Sequence, residues 1–316
     1  MNNFPLISVI IPVYNHEKYI KQALDSVLDE DYPNKEIVII NDGSTDNTDS
    51  VIKDWIKEHQ NIIKVLYRSR ENKKLVRTLN ELIDMTNGEY IVFFGSDDYL
   101  KNNGITKRYE YLKNHPDKLM VITDCNLIDG DSNLIYESAL LSKGKVNKDL
   151  LFSNEGMKKF MILNGFTPGA TLMADKKIYE VIGKYDESFP SEDWPYYMKI
   201  VPLNLLGYID EIVSAYRIHS KNSCYSEKQI LNAKGHLKIT LQSFKDFKGI
   251  KYKYYLTLKL IYLFLYIPYL KIKFMLVKKS KNYSNFAEFW TNKLILNFVI
   301  ALKDIFNHLT CELYEK

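Results

Sequence analysis

An α/β fold built on a mostly parallel sheet flanked by helices, followed by a helical C-terminal extension, is what this 316-residue sequence predicts. Apolar β-branched runs alternate with segments of helical periodicity through residues 6–94. Several of those runs end in turns rich in Asp, Asn, Ser and Gly, and from Lys228 onward the residues read as helices alone.

Leu6 to Val13 (LISVIIPV) has the continuous apolar character of a strand buried on both faces. His16 to Leu28 follows with Tyr19, Ile20, Ala23, Leu24 and Val27 on one helical face. A second strand, Glu36 to Ile40, runs into Asn41-Asp42-Gly43-Ser44-Thr45-Asp46, a turn dense in capping residues that opens a helix from Thr48 to His59. Ile63 to Tyr67 (strand), Val76 to Met85 (helix) and Tyr90 to Phe94 (strand) continue the alternation, which stops at Gly95-Ser96-Asp97-Asp98. Leu119 to Thr123 is a further strand, and residues 124–175 read as irregular. Lys176 to Ile182 is a helix, Ser191-Glu192-Asp193-Trp194 opens another, and Ile212 to Ile218 is a strand. One domain is expected over residues 1–225 and a helical, basic and aromatic region over 226–316.

The length suits one large domain plus an appendage, since domains usually hold roughly 100 to 200 residues. Cys125, Cys224 and Cys311 form neither a zinc pattern nor a disulfide framework, so free thiols in a reducing compartment are expected. The N-terminus lacks a secretory signal, which places the protein in the cytoplasm. The net charge of +4 is uneven: residues 248–316 hold 12 Lys and 4 acidic residues. Neither GxGxxG nor GxxxxGK[ST] occurs, which disfavours dinucleotide enzymes and P-loop kinases.

Open sheets of this kind bind ligands beyond the carboxyl ends of their strands, so Tyr14, Asp42 and Asp97 should converge on one crevice. Carboxylates at adjacent strand ends suit Mg²⁺ or Mn²⁺ held partly by phosphate oxygens, and a nucleotide diphosphate is the natural partner. Asp42 or Asp98 in isolation would more often cap a helix; the ordered series of acidic turns is what weighs.

Ile7-Ser8-Val9-Ile10-Ile11-Pro12-Val13-Tyr14-Asn15, the Asn41-to-Asp46 turn, Gly88-Glu89-Tyr90-Ile91, Ser96-Asp97-Asp98 and Gly183-Lys184-Tyr185-Asp186-Glu187 before Glu192-Asp193 resemble glycosyltransferase family 2, over about residues 5 to 222. The resemblance implies the GT-A fold, a Rossmann-like sheet, and transfer from a nucleotide-sugar donor. It places Pro12 and Tyr14 beside the base, Tyr14 stacking on it, and Asp42 on the uracil or ribose. Asp97 would bind a Mn²⁺ or Mg²⁺ that bridges the phosphates, with Asp98 supporting it or contacting the sugar. Asp193 matches the base of an inverting transfer, ionised by the helix dipole. Glu192 orients the acceptor or caps the helix, and Trp194 is an acceptor platform or simply packed. Tyr216-Arg217-Ile218-His219 resembles a late element whose His approaches the metal or diphosphate.

The chain departs from the pattern at Gly95, where the family's first motif Asp usually stands, so Asp98 compensates, water fills the place, or metal dependence is weak. Lys73-Lys74 replaces common glycines; solvated charge is the bland reading of these and of Arg77.

Lys248 to Lys281 contains nine Lys and no acidic residue around the uncharged run Leu260 to Leu270. Eleven residues are too few to span a bilayer, which takes about 20. The tail either lies on an anionic membrane surface or packs on the catalytic domain or a second subunit, as a homo-oligomer; it resembles no nucleic-acid module. The expected whole is an inverting transferase moving a hexose or N-acetylhexosamine from a UDP-sugar to a saccharide or lipid-linked acceptor in capsule or lipopolysaccharide synthesis, peripheral on the inner face of a bacterial membrane. A degenerate sugar-nucleotide binder and a nucleotidyltransferase are the alternatives.

Overall fold

The computed structural model describes residues 4–101, 103–143, 145–219 and 228–279. It divides into two compact units, one of residues 1–157, 166–188 and 203–219, the other of residues 158–165, 189–202 and 220–316.

Along the chain come β1 (Ile7–Val13), α1 (Ile20–Leu28), β2 (Lys35–Asp42), α2 (Thr48–His59), β3 (Lys64–Arg70), α3 (Leu75–Met85), β4 (Tyr90–Phe93) and β5 (Tyr99–Leu100). There follow α4 (Gly104–Asn114), β6 (Met120–Ile128), β7 (Leu134–Tyr136), α5 (Ala139–Ser142), α6 (Asn154–Leu163), β8 (Met173–Asp175), α7 (Ile178–Ile182), α8 (Asp193–Ile200), β9 (Leu206–Arg217), α9 (Lys228–Ser243) and α10 (Ile250–Lys279).

The strands join in the order β3-β2-β1-β4-β8-β6-β9-β5, with β7 on β6. β1, β2, β3 and β4 are mutually parallel, as are β6 and β9, whereas β8 runs against β4 and β6 and short β5 against β9. β2 is buried from Glu36 to Asp42 and β1 carries Ile7, Val9, Ile10, Ile11 and Val13 inside. Each such side chain contributes about 1.5–3 kcal/mol of burial, which is why these strands read as unbroken apolar runs rather than alternating ones.

Two polar residues inside that sheet answer each other at its amino edge. Ser8 Oγ donates to Glu36 Oε1 at 2.8 Å, and Glu36 also accepts from the Asn87 N–H at 2.8 Å and from Lys64 Nζ at 2.9 Å. A Cβ at Gly88 would lie 2.7 Å from both Leu6 O and Ser8 Oγ. The glycine of Gly88-Glu89-Tyr90-Ile91 thus permits a close backbone approach at the edge opposite the ligand crevice.

Several expectations change. The first helix starts at Ile20, not His16, because the His16 N–H donates to Thr48 Oγ1 at 3.0 Å and holds residues 14–19 in a loop. Residues 124–175 are not irregular: they complete β6 and contain α5, α6 and β8. α4 was not legible because its amino terminus is capped from afar, by Glu30, whose carboxylate accepts from the Gly104 and Ile105 N–H groups at 3.0 and 3.1 Å. Cys125 is buried and free; Cys224 and Cys311 lie outside the described residues.

In the second unit α9 packs against α8 and α10. α10 buries Tyr252, Leu256, Lys259, Leu263 and Leu270 along one face and exposes Ile250, Tyr254, Ile261, Phe264 and Leu265. Among the described residues no helix is long and apolar enough to cross a membrane.

Lys259 is 5% exposed in that apolar stripe. Its Nζ donates to Leu163 O at 3.0 Å, one of the orphan carbonyls ending α6, and stands 5.0 Å over the Trp194 ring and 5.4 Å over Tyr262. Burial pushes its pKa down to about 8, and no carboxylate among the described residues offsets it. A lysine depressed from 10.5 to about 8 costs the fold stability as pH falls through that window, about 3 kcal/mol in all. Lys259→Met is therefore expected to be more stable than wild type at pH 7, with the advantage shrinking towards pH 10. Thermal melts of both proteins across that range check it; a pH-independent difference between them would count against the buried charge.

Candidate functional site

Three turns meet at the carboxyl edge of the parallel strands. β1 delivers Tyr14-Asn15-His16, where Asn15 adopts a left-handed φ of 56°. Asn15 N–H donates to Ser44 Oγ at 2.9 Å and Asn15 Oδ1 accepts from the Thr45 N–H at 2.7 Å, so the β1 turn is tied to the β2 turn. Within that second turn the Ser44 N–H is capped by Asn41 Oδ1 at 3.1 Å. His16 Nδ1 pairs with Ser96 Oγ at 2.7 Å, which ties the β1 turn to the turn after β4. The convergence expected of Tyr14, Asp42 and Asp97 is present in the backbone of the turns that carry them.

Pro12 is half-buried and Tyr14 is 49% exposed at the end of β1. Asp42 is nearly enclosed: its Oδ1 accepts from the Arg70 guanidinium and from the Lys73 N–H at 2.9 Å. Arg70 also donates to Glu81 at 3.0 Å and Thr78 at 2.9 Å. Lys73 and Arg77 pair with the same Glu81, at 3.2 and 3.5 Å. Arg70 was not singled out in the sequence, because only the β2–β3 register, which sets Asp42 opposite it, brings the two together.

The Gly95–Asp98 turn separates its two carboxylates. Asp97 points to His219, whose Nε2 lies 2.9 Å from Asp97 Oδ2, and to His16, whose Nε2 lies 3.9 Å from the same oxygen. Burial pushes the Asp97 carboxyl up, but the His219 hydrogen bond and the two imidazoles outweigh it and hold it below the usual range. Asp98 faces inward, 3% exposed, and accepts from the Arg217 N–H at 2.9 Å. Its burial, and then the charge of Asp97, push it well above the ordinary carboxylate range. A Cβ at Gly95 would come within 2.6 Å of Asp98 Oδ2 and 3.0 Å of Asp97 Oδ1, so the inward turn of Asp98 fills the space that a side chain at position 95 would need.

Arg217, buried at the end of β9, holds this arrangement from beneath. It donates to Asp97 O at 2.7 Å, Asp129 O at 3.1 Å, Ser132 Oγ at 2.9 Å and Gln22 Oε1 at 2.6 Å, and its guanidinium lies 4.7 Å from the Tyr19 ring centroid. His16, Asp97 and His219 are the one group among the described residues whose ligand atoms lie close enough, within 4.8 Å of each other, to share an ion. Two imidazoles and a carboxylate fit a divalent ion of borderline character. The sequence pointed to Asp97 and His219; His16 was absorbed into an apparent helix.

Glu192, Asp193 and Trp194 belong to the second unit. Asp193 is the first residue of α8 and Glu192 precedes it, both keeping partial solvent contact. Burial raises both carboxyls, and Glu192's charge adds to the rise at Asp193, which goes well above its usual value. The lowering expected from the helix dipole is overridden. Trp194 is no open platform: it is 4% exposed, its Nε1–H donates to Met161 O at 2.7 Å, and His236 lies 4.4 Å from its ring. Gly165 also presses on it, since a Cβ there would sit 2.3 Å from the indole.

Residues 8–182 match the family described as Glycosyl transferase family 2. The chain belongs to glycosyl transferase family 2. An uncharacterised glycosyltransferase of Rickettsia typhi is 31% identical over 220 residues, 68% of this chain, and the chain spans 64% of that relative's length. Among solved structures, the mannosyltransferase PcManGT of Pyrobaculum calidifontis in complex with GDP-Man and Mn²⁺ superposes with a TM-score of 0.65 at 18% identity, covering 99% of this chain and 85% of its own. S. aureus TarS in complex with UDP-GlcNAc gives 0.58 at 17% identity, covering 89% and 77%. These two likenesses concern the fold, and the family 2 chain has the GT-A architecture its sequence predicted.

Proposed function

We propose that this chain is an inverting transferase that moves a hexose or N-acetylhexosamine from a UDP-sugar to a lipid-linked saccharide acceptor, building a surface polysaccharide such as capsule or lipopolysaccharide at the inner face of a bacterial membrane. The observation that carries the reading is the three stitched turns, which set an exposed aromatic ring, a half-engaged carboxylate and an Asp–His pair on one sheet edge.

Each piece has a role. Tyr14 offers a flat face for the base, beside Pro12. Asp42 keeps Oδ1 on Arg70 and the Lys73 N–H, and its other oxygen would accept from uracil or ribose. Asp97 and His219 would hold Mn²⁺ or Mg²⁺, with Asp98 and Arg217 fixing the turn beneath them. When bound, such an ion supplies positive charge that stabilises the departing diphosphate. Asp193 removes the proton of the acceptor hydroxyl as that oxygen attacks the anomeric carbon, and Glu192 orients the acceptor. The exposed ridge of α10, with its lysines, would rest on anionic headgroups; sedimentation with anionic liposomes at low salt checks that part.

Release of nucleoside diphosphate from a panel of UDP-, GDP- and dTDP-sugars, with Mn²⁺ or Mg²⁺, tests the donor reading. Slow hydrolysis of one UDP-sugar is expected, reduced about 10²–10³-fold in Asp97→Ala. If no sugar nucleotide is hydrolysed and none shifts the melting temperature, the reading fails and a degenerate binding protein takes its place.

A further inference from the structure

The family's first motif carboxylate is missing at Gly95, and a side chain there would meet Asp98 Oδ2 at 2.6 Å, so Asp98 would have to shift to admit one. A donor from elsewhere stands in the neighbourhood. We propose that His16 is a third metal ligand, completing a site of His16, Asp97 and His219 that selects a first-row transition dication over Mg²⁺. The inference deepens the donor reading above and rests on it only for the identity of the nucleotide.

The geometry is that of a built site. His16 sits in a loop whose backbone is fixed on both sides, by Asn15 N–H to Ser44 Oγ and His16 N–H to Thr48 Oγ1. Its Nδ1 is held by Ser96 Oγ at 2.7 Å, one residue from Asp97. A hydroxyl can accept as well as donate, so Ser96 can hold the tautomer with hydrogen on Nδ1, the one in which Nε2 carries the ring lone pair that a metal would need. That Nε2 lies 3.9 Å from Asp97 Oδ2, and His219 Nε2 lies 2.9 Å from the same oxygen on another side. The two imidazole rings stand at 89° with centroids 5.8 Å apart, packed around Tyr19 at 6.1 and 5.2 Å. With metal–ligand bonds of about 2.0–2.2 Å, neighbouring donors on one ion lie about 3–3.5 Å apart. The Asp97–His219 pair, at 2.9 Å, already meets that spacing, and His16 Nε2, at 3.9 Å, has to close by about 0.5–1 Å, a swing of the ring about its side-chain bonds.

The chemistry of the donor set then decides the ion. Mg²⁺ demands oxygen ligands and gives up its waters reluctantly, whereas two imidazoles with one carboxylate suit a transition dication, and three protein donors would leave further positions for phosphate oxygens. Exchanging a carboxylate for an imidazole also makes the site one charge more positive, which favours a diphosphate. Gly95 and His16 are thus two halves of one exchange, with Asp98 filling the space that the lost side chain vacates.

The test is direct metal binding to the full chain, free and with saturating UDP, by calorimetry with Mn²⁺, Co²⁺ and Mg²⁺ and by the visible absorption of Co²⁺. Wild type is expected to bind Mn²⁺ and Co²⁺ at least tenfold more tightly than Mg²⁺. His16→Gln, which keeps a polar group for Ser96, should weaken both transition ions about 10–100-fold, alter the Co²⁺ spectrum and leave Mg²⁺ affinity unchanged; Ser96→Ala should act in the same direction through loss of orientation. Melting temperatures in chelator should match wild type, separating ligation from folding. Equal binding of Mn²⁺ by wild type and His16→Gln overturns the proposal, as does equal affinity for Mg²⁺ or no ion bound with or without UDP. Because no turnover is read, failure of the donor reading shows separately, as metal binding without any hydrolysed sugar nucleotide.

Discussion

Asp193→Asn is expected to lower kcat about 10²–10⁴-fold, the usual range for loss of a general base, while donor affinity stays within about twofold. The asparagine keeps the shape and cannot take a proton. The pH profile is the sharper readout. Burial raises the Asp193 carboxyl well above its ordinary value, and the neighbouring Glu192 charge adds to the rise. A base works only when unprotonated, so wild-type kcat/KM should fall as pH drops through that raised pKa, above the usual carboxylate range. Glu192→Gln removes the second cause and should shift this acid limb to lower pH; Asp193→Asn should abolish it. Turnover within threefold of wild type in Asp193→Asn, with the limb intact, would assign the base to another residue.

Arg217→Met should be the most damaging single change to the fold of the first unit. The guanidinium satisfies Asp97 O, Asp129 O, Ser132 Oγ and Gln22 Oε1 at once and lies over the Tyr19 ring. Methionine fills much of the volume but donates nothing, so four partly buried acceptors lose their donor, each at the lower end of the about 1–3 kcal/mol that an unpaired buried group costs. A loss of about 3–5 kcal/mol is expected, or roughly 10 °C in Tm for a domain of this size. Arg217→Lys should recover less than half of it, since one ammonium cannot reach three elements in the planar fork that arginine offers. Denaturant unfolding of the three proteins decides it; a methionine variant within 1 kcal/mol of wild type would mean that water replaces the fork.

The first four strands could be read from the chain because each is covered on both faces, so that burial wrote itself as consecutive Ile and Val. The meeting of the turns that carry Tyr14, Asp42 and Asp97 could be read because strand ends in a parallel sheet share one edge. Hidden were the features decided by residues distant in sequence. Glu30 caps α4 across 74 and 75 positions, and Arg70 reaches Asp42 across 28. His16 sits at a spacing that a helix would also use, and only the bond to Thr48 shows that the helix has not begun. Trp194 shows the opposite limit, for an indole in a first helical turn reads the same whether open or enclosed until Met161, Gly165 and His236 are in place around it.

The acidic turn after β4 is anchored by atoms that follow it 119, 120 and 122 positions later, at Arg217 and His219. On a ribosome adding about 5–20 residues per second, the nascent chain would hold β1 to β4 for roughly 6–24 seconds before the clamp beneath Asp97 emerges. A chain stopped short of residue 217 could thus carry every early motif of the family and still have an Asp97 with neither Arg217 nor His219 to hold it. Competence for catalysis arrives late in synthesis, and nearly all at once.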